Sequence, residues 1–161
     1  VLILAGCSGL PGAPTATTVY DHSYNFSSVR KISIQPIARD TVSTVMVTDA
    51  QISRINEALS EELKRRGFEV VTVNGDADIF LSWQLVVQET AFVTTADGTT
   101  QKASQGTLFV NMIDPVMLKS VWRAWFESGL RENPESDAAA QYRKQAAEVI
   151  LAQFPPNAAA R

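Results

Sequence analysis

Cys7, His22 and the pair Asp76 and Asp78 are the residues of this chain whose types could do chemistry, and Cys7 and His22 are the only cysteine and histidine it contains. A Ser–His–Asp hydrolase would need His22 as its base. His22 follows a linker-like stretch, and no Gly-x-Ser-x-Gly elbow occurs anywhere, so it reads as a solvated residue. Asp76-Ala77-Asp78 has the form of a cation-binding pair. It sits at a turn entering a strand, where aspartate serves turn hydrogen bonds, and no further ligands stand at metal spacing. One cysteine and one histidine furnish neither a disulfide framework nor a zinc cage. A glycosidase needs two carboxylates across a cleft, and nothing singles out such a pair. No glycine-rich phosphate loop is present. The formal charge of −3 and sequence pI near 5.1 give no electrostatic reason to expect nucleic acid. The expectation is therefore a domain without cofactor, metal or catalytic residues; the alternative is an envelope enzyme with a carboxylate-based site.

Cys7 takes its meaning from its neighbours. Val1-Leu2-Ile3-Leu4 has the character of the end of a secretory apolar stretch. Leu4-Ala5-Gly6-Cys7 resembles the lipobox of bacterial lipoproteins at all four positions. That motif implies a diacylglycerol on the cysteine sulfur, cleavage before Cys7 and acylation of the new amino group; several acyl chains make the anchor stable. Ser8-Gly9-Leu10-Pro11-Gly12-Ala13-Pro14 then has the composition of a tether. Ser8 is not the aspartate associated with inner-membrane retention, which points to the outer membrane, periplasmic face. The expected organisation is residual signal peptide 1–6, lipidated tether 7–19, one domain 20–154 and a disordered tail 155–161. No apolar run approaches the roughly 20 residues that span a bilayer.

Anything the domain binds must be positioned by the elements of residues 20–154. A strand is expected from about Ser28 to Pro36, and Tyr20, Tyr24 and Phe26 upstream could add an edge strand or pack across the sheet. Thr48 and Gln51 make a capping box, Val47 and Ile52 a hydrophobic staple, and Ile52, Ile55, Leu59 and Leu63 an apolar stripe. Glu61→Arg65 and Glu62→Arg66 are favourable i,i+4 pairs, and Gly67-Phe68 suits a Schellman end. Lys64-Arg65-Arg66 then lies at the negative end of the helix dipole, a solvated last turn.

Further strands are expected over Phe68–Val73, Asp78–Val93, Gly106–Ile113 and Ser120–Glu127, with a hairpin around Asp97-Gly98. A last helix is expected to start near Asn133-Pro134 and to bury Tyr142, Ala146, Val149 and Ile150. The result is an α+β fold: a mixed, mostly antiparallel sheet of four to six strands, starting β-α-β, with two helices on one face. Alternation separates Trp122, Ala124 and Phe126 from Arg123 and Trp125. Trp125 and Arg123, with Phe92 and Phe109, are thus the candidate partner-binding surface.

Several segments share a further likeness. Tyr24-Asn25-Phe26-Ser27-Ser28-Val29-Arg30-Lys31-Ile32, the helix end Leu63–Phe68 with Ala77-Asp78-Ile79, and Gly106–Val110 followed by Asp114 and Ser120-Val121-Trp122-Arg123 resemble a bacterial envelope lipoprotein family. It is known only as domain of unknown function family 4136. The likeness covers about residues 20–152, with Ala124 standing where that family's pattern leads one to expect glycine. It implies a periplasmic lipoprotein with no assigned reaction, bound to the membrane by its lipid. Partners in keeping with this are an envelope protein, lipid or cell-wall component; the oligomeric state stays open.

Overall fold

The computed structural model describes residues 15–37, 47–94, 100–129 and 136–156. Cys7, the Asp97-Gly98 turn and Asn133-Pro134 lie outside the described residues. The elements in chain order are β1 (Thr17–Tyr20), β2 (Lys31–Ile34), α1 (Asp49–Arg65), β3 (Glu69–Val71), β4 (Ile79–Thr94), β5 (Thr100–Asp114), β6 (Lys119–Gly129) and α2 (Asp137–Leu151). They form one six-stranded sheet in the order β1-β6-β5-β4-β2-β3. β2 is parallel to β3 and β4, and the other pairings are antiparallel. This is the α+β class read from the sequence, with β2-α1-β3 as its β-α-β unit.

The ends of α1 follow from its sequence. The Thr48 side chain accepts from the Gln51 amide at 3.2 Å, and Gln51 Oε1 accepts from the Thr48 amide at 2.8 Å. At the other end the Phe68 amide reaches the Leu63 carbonyl at 3.0 Å and the Gly67 amide reaches Lys64 at 2.9 Å. That Schellman closure needs the left-handed φ of 91° which Gly67 supplies.

Both helices lie on one face of the sheet. Leu59 and Leu63 of α1 and Ala147, Ile150 and Leu151 of α2 pack with Ile32, Ile79, Leu81, Val110, Met112, Trp122 and Ala124. The β3–β4 connection passes over the other face. Ser33 points opposite to Ile32, is itself buried, and its hydroxyl donates to Asn74 Oδ1 at 2.8 Å.

Several boundaries differ from expectation. The first long strand does not start at Ser28, because Phe26–Ser28 forms a 3₁₀ turn capped by the Asn25 side chain. Thr17–Val19, assigned to the tether, are strand β1, since their backbone pairs with β6 from Arg123 to Trp125. α2 starts at Asp137 because the Ser136 hydroxyl caps the Ala139 amide at 3.2 Å. Pro155 and Pro156, assigned to the tail, are partly buried at the end of the domain. A β-bulge inserts Val121 between the Met112–Trp122 and Ile113–Ser120 pairs, so Val121 and Trp122 are both buried.

Candidate partner-binding face

The sheet face away from the helices carries the sequence-predicted surface. Alternation along β6 buries Trp122, Ala124 and Phe126 and turns Arg123 and Trp125 to this face. Register then decides their neighbours. Phe109 stands directly opposite Trp125, with Gln84 beyond it on β4 and Thr17 on the far side on β1. Phe109 and Trp125 are both partly exposed. The next row toward the β5–β6 turn holds Ser82, Asn111, Arg123 and Val19. Arg123 is exposed, and its Nε donates to Asn111 Oδ1 at 2.6 Å, which restrains the guanidinium. Val19 beside it is 52% exposed.

Phe92 does not join this group. It pairs with Lys102 beyond a bulge between Glu89 and Phe92. That position is seven residues along β5 from Phe109, roughly 23 Å. The Phe92 side chain lies outside the described residues.

The acidic residues with shifted titration are all engaged. Asp78 Oδ2 accepts from the Lys31 and Arg30 amides, each at 2.8 Å, and these bonds hold its pKa below the ordinary value. Asp78 therefore staples the start of β2 to the start of β4. Asp21 accepts from the Ser23 hydroxyl and from Lys119 Nζ, and these hold it well below the usual carboxylate range. Burial pushes Glu62 upward, but Arg65 at 2.7 Å and Arg66 at 2.6 Å together pull it below normal. Glu62 thus takes both arginines, whereas Glu61, expected to pair with Arg65, meets Lys144 of α2 at 3.6 Å. Arg66 is half-buried and also reaches the Ala152 and Phe154 carbonyls, so it clamps the helix ends rather than standing in solvent. No cluster of three potential metal ligands occurs among the described residues. His22 is exposed, with its ring centroid 4.4 Å from that of Tyr20.

Two further features are not singled out in the sequence. A cleft of about 460 Å³ lies between the 24–30 loop, the end of α1 and Pro155-Pro156. Its arginines are occupied: Arg30 Nη1 donates to the Ser27 and Val29 carbonyls at 2.8 Å, and Arg66 is committed as above. The second is the β5–β6 turn, where Val116, Met117 and Leu118 are exposed in succession. The signal was available, since apolar residues between Asp114-Pro115 and Lys119 are unusual turn chemistry.

The family model described as "Domain of unknown function (DUF4136)" matches residues 16–156. This chain belongs to the DUF4136 family. The match begins within one residue of β1 and ends at Pro156, so the family unit and the folded unit coincide. No curated protein matches the sequence. Among solved structures, a PDZ domain protein from Parabacteroides distasonis is similar with a TM-score of 0.59 and 12% identity over 89% of this chain. The likeness covers 36% of that longer protein, so this chain spans about a third of its length. A PelC dodecamer from Paraburkholderia phytofirmans has a TM-score of 0.51 and 16% identity, covering 85% of this chain and 95% of that one. A DUF4136 family protein from Bacteroides thetaiotaomicron has 13% identity and a TM-score of 0.49, over 88% of this chain and 94% of its own. At such identities the likeness is one of fold. No helix among the described residues is long and apolar enough to cross a membrane, which leaves strand-built membrane proteins aside.

Proposed function

We propose that this DUF4136 chain is a lipoprotein of the bacterial envelope, held to the periplasmic face of the outer membrane through lipidated Cys7. Its domain is a non-catalytic module that docks an envelope partner on the helix-free sheet face. The observation that carries the docking reading is the register of Phe109 with Trp125, flanked by the Arg123–Asn111 pair. Two aromatic rings beside a fixed guanidinium give a flat, partly apolar surface with directional donors, the composition enriched at interfaces. The engagement of Asp21, Glu62 and Asp78 in structural bonds supports a binding role over a carboxylate-based enzyme. The lipobox residues Leu4-Ala5-Gly6-Cys7 support the anchor.

Crosslinking and affinity capture from native membranes test the docking face, with wild type compared against Arg123→Glu/Trp125→Ser. A specific partner lost in the double variant is the expected result; a partner retained at wild-type yield would move docking elsewhere. The anchor has its own test. Cys7→Ala is expected to abolish incorporation of labelled palmitate in cells, and labelling at the wild-type level would refute it.

A further inference from the structure

The β5–β6 turn is built to display apolar side chains. Val116 is 88% exposed, Met117 61% and Leu118 74%, and they follow one another at a convex tip. Single exposed apolar residues are ordinary on protein surfaces, whereas three in succession at a protrusion are not. The tip is also held firmly. Asp114 Oδ1 accepts from the Val116 amide at 2.9 Å and the Met117 amide at 2.7 Å, and the Leu118 amide returns to the Asp114 carbonyl at 2.9 Å. Leu118 has a φ of 51°, which no other non-glycine among the described residues shares in sign. That position favours glycine or asparagine, so a leucine there retains its side chain at a conformational cost.

The residues around the base grade from apolar to polar. Lys119, with its side chain 61% exposed, pairs with Asp21 at 2.9 Å. Tyr24 is partly buried beside Asp114, and burial, followed by that carboxylate, raises its phenol pKa. An apolar apex above a polar collar of Tyr24 and Lys119, whose partners Asp114 and Asp21 are themselves engaged, follows the order of chemistries across a bilayer interface. A protein partner would need a concave receptor, whereas a lipid surface accepts a protrusion directly.

We infer that the Val116-Met117-Leu118 tip inserts into the interfacial layer of a lipid bilayer, giving the domain a membrane contact separate from the Cys7 anchor. The two are geometrically compatible. β1 runs antiparallel to β6, so the chain reaches Thr17 opposite Trp125, six residues and roughly 20 Å along β6 from Lys119. The ten-residue stretch from Cys7 to Thr17 can span up to about 33 Å. Anchor and tip can therefore touch one bilayer, and the second contact acts at high effective concentration. The inference goes beyond the sheet-face reading and does not depend on lipidation.

The test uses the chain from residue 7 onward carrying Cys7→Ala, which removes the apolar Val1–Leu4 stretch, the anchor and the only native cysteine together. Adding Met117→Cys gives a unique site for an environment-sensitive fluorophore. With phosphatidylethanolamine–phosphatidylglycerol vesicles at millimolar lipid, the expected result is a blue shift and quenching by brominated acyl chains. The unlabelled Cys7→Ala chain is expected to lose at least tenfold in vesicle partitioning when Val116→Ser, Met117→Ser and Leu118→Asn are introduced. Its thermal melt should be retained, because these side chains are exposed and asparagine tolerates the left-handed φ. No spectral change at saturating lipid overturns the inference. A blue shift that rises with protein concentration and escapes the brominated lipids overturns it in favour of self-association. Palmitate labelling of Cys7→Ala in cells reads the anchor alone, so failure of the tip and failure of the anchor are distinguishable.

Discussion

The two faces of the sheet are made by the same strands and answer to different constraints. On the helix side, Leu81, Val110, Trp122 and Ala124 are wholly enclosed and meet α1 and α2. One residue along each strand, Ser82, Asn111, Arg123 and Trp125 keep contact with water. The inner face is fixed by volume, since any cavity there removes contacts that nothing replaces. The outer face is held by strand propensity and by polar contacts such as Ser33–Asn74 and Arg123–Asn111, which packing volume constrains less tightly.

The sharpest way to break this contrast is to make one chemical change on both faces of β6. Trp122→Ala should cost about 3–5 kcal/mol in urea denaturation, the range for large aromatic truncations in cores. Trp122 stacks edge-on against Phe154 with centroids 5.2 Å apart, so a second ring loses its support. Its indole N–H meets no acceptor among the described residues, unlike that of Trp83, which donates to Asn56 at 2.7 Å. Trp122→Phe should therefore lose packing without a compensating hydrogen-bond penalty. Trp125→Ala, three residues on, should cost less, about 1–3 kcal/mol, since part of its ring already meets water. Equal costs for the two alanine variants would mean that the outer face is covered.

A smaller effect tests what keeps the helices on the inner face. Glu62 binds Arg65 and Arg66, and Arg66 continues to the Ala152 and Phe154 carbonyls. Glu62→Gln should cost about 1–3 kcal/mol, because a half-buried guanidinium loses its counter-charge. The same linkage sets a pH dependence. Glu62 and Asp78 both have folded pKa values below their unfolded ones, so each stabilises the fold above the unfolded pKa. That contribution is lost as pH falls through the lower, folded value. Stability should be level from pH 7 to about pH 5 and decline below about pH 4, and Glu62→Gln should flatten the decline. An unaltered acid profile in that variant would place the coupling elsewhere.

Gly67→Val is expected to destabilise by about 1 kcal/mol or more, read from the denaturation midpoint. A Cβ there would meet nothing within 4 Å, so the cost is wholly the backbone φ of 91°. Gly67→Asn should recover part of it, because asparagine tolerates that region. A neutral valine would show that α1 can end without its Schellman closure.

The inner face was legible because its signals are local and redundant. Thr48, Gln51 and Gly67 mark the ends of α1 by chemistry that acts within five residues, and alternation on β4 and β6 names the residues that go inside. The outer face depends on register between strands far apart in sequence. Nothing near Phe92 reveals that its register places it opposite Lys102, eight residues along β4 from Gln84, or that Phe109 is the partner opposite Trp125. The start of α2 is ambiguous in the sequence because Asn133-Pro134 and Ser136 both have start chemistry, and it is the Ser136 hydroxyl that caps the helix. Val19 belongs with Arg123 through the β1–β6 pairing, yet its neighbours in sequence read as a tether.

The smallest expected effect decides the most about function. Arg123 is exposed, its Nε bond goes to Asn111, and no core residue rests on it. Arg123→Ala should change stability by no more than about 0.5 kcal/mol, as surface substitutions away from buried networks do. Asn111→Ala should do the same, since it removes only the group that orients the guanidinium. If the outer face docks a partner, the two variants should nonetheless weaken capture together, and the double variant should be no weaker than Arg123→Ala alone. That non-additivity is the signature of one residue acting through another. Additive losses would mean that Asn111 contacts the partner itself, and no loss from either would leave the Phe109–Trp125 row as the only determinant on this face.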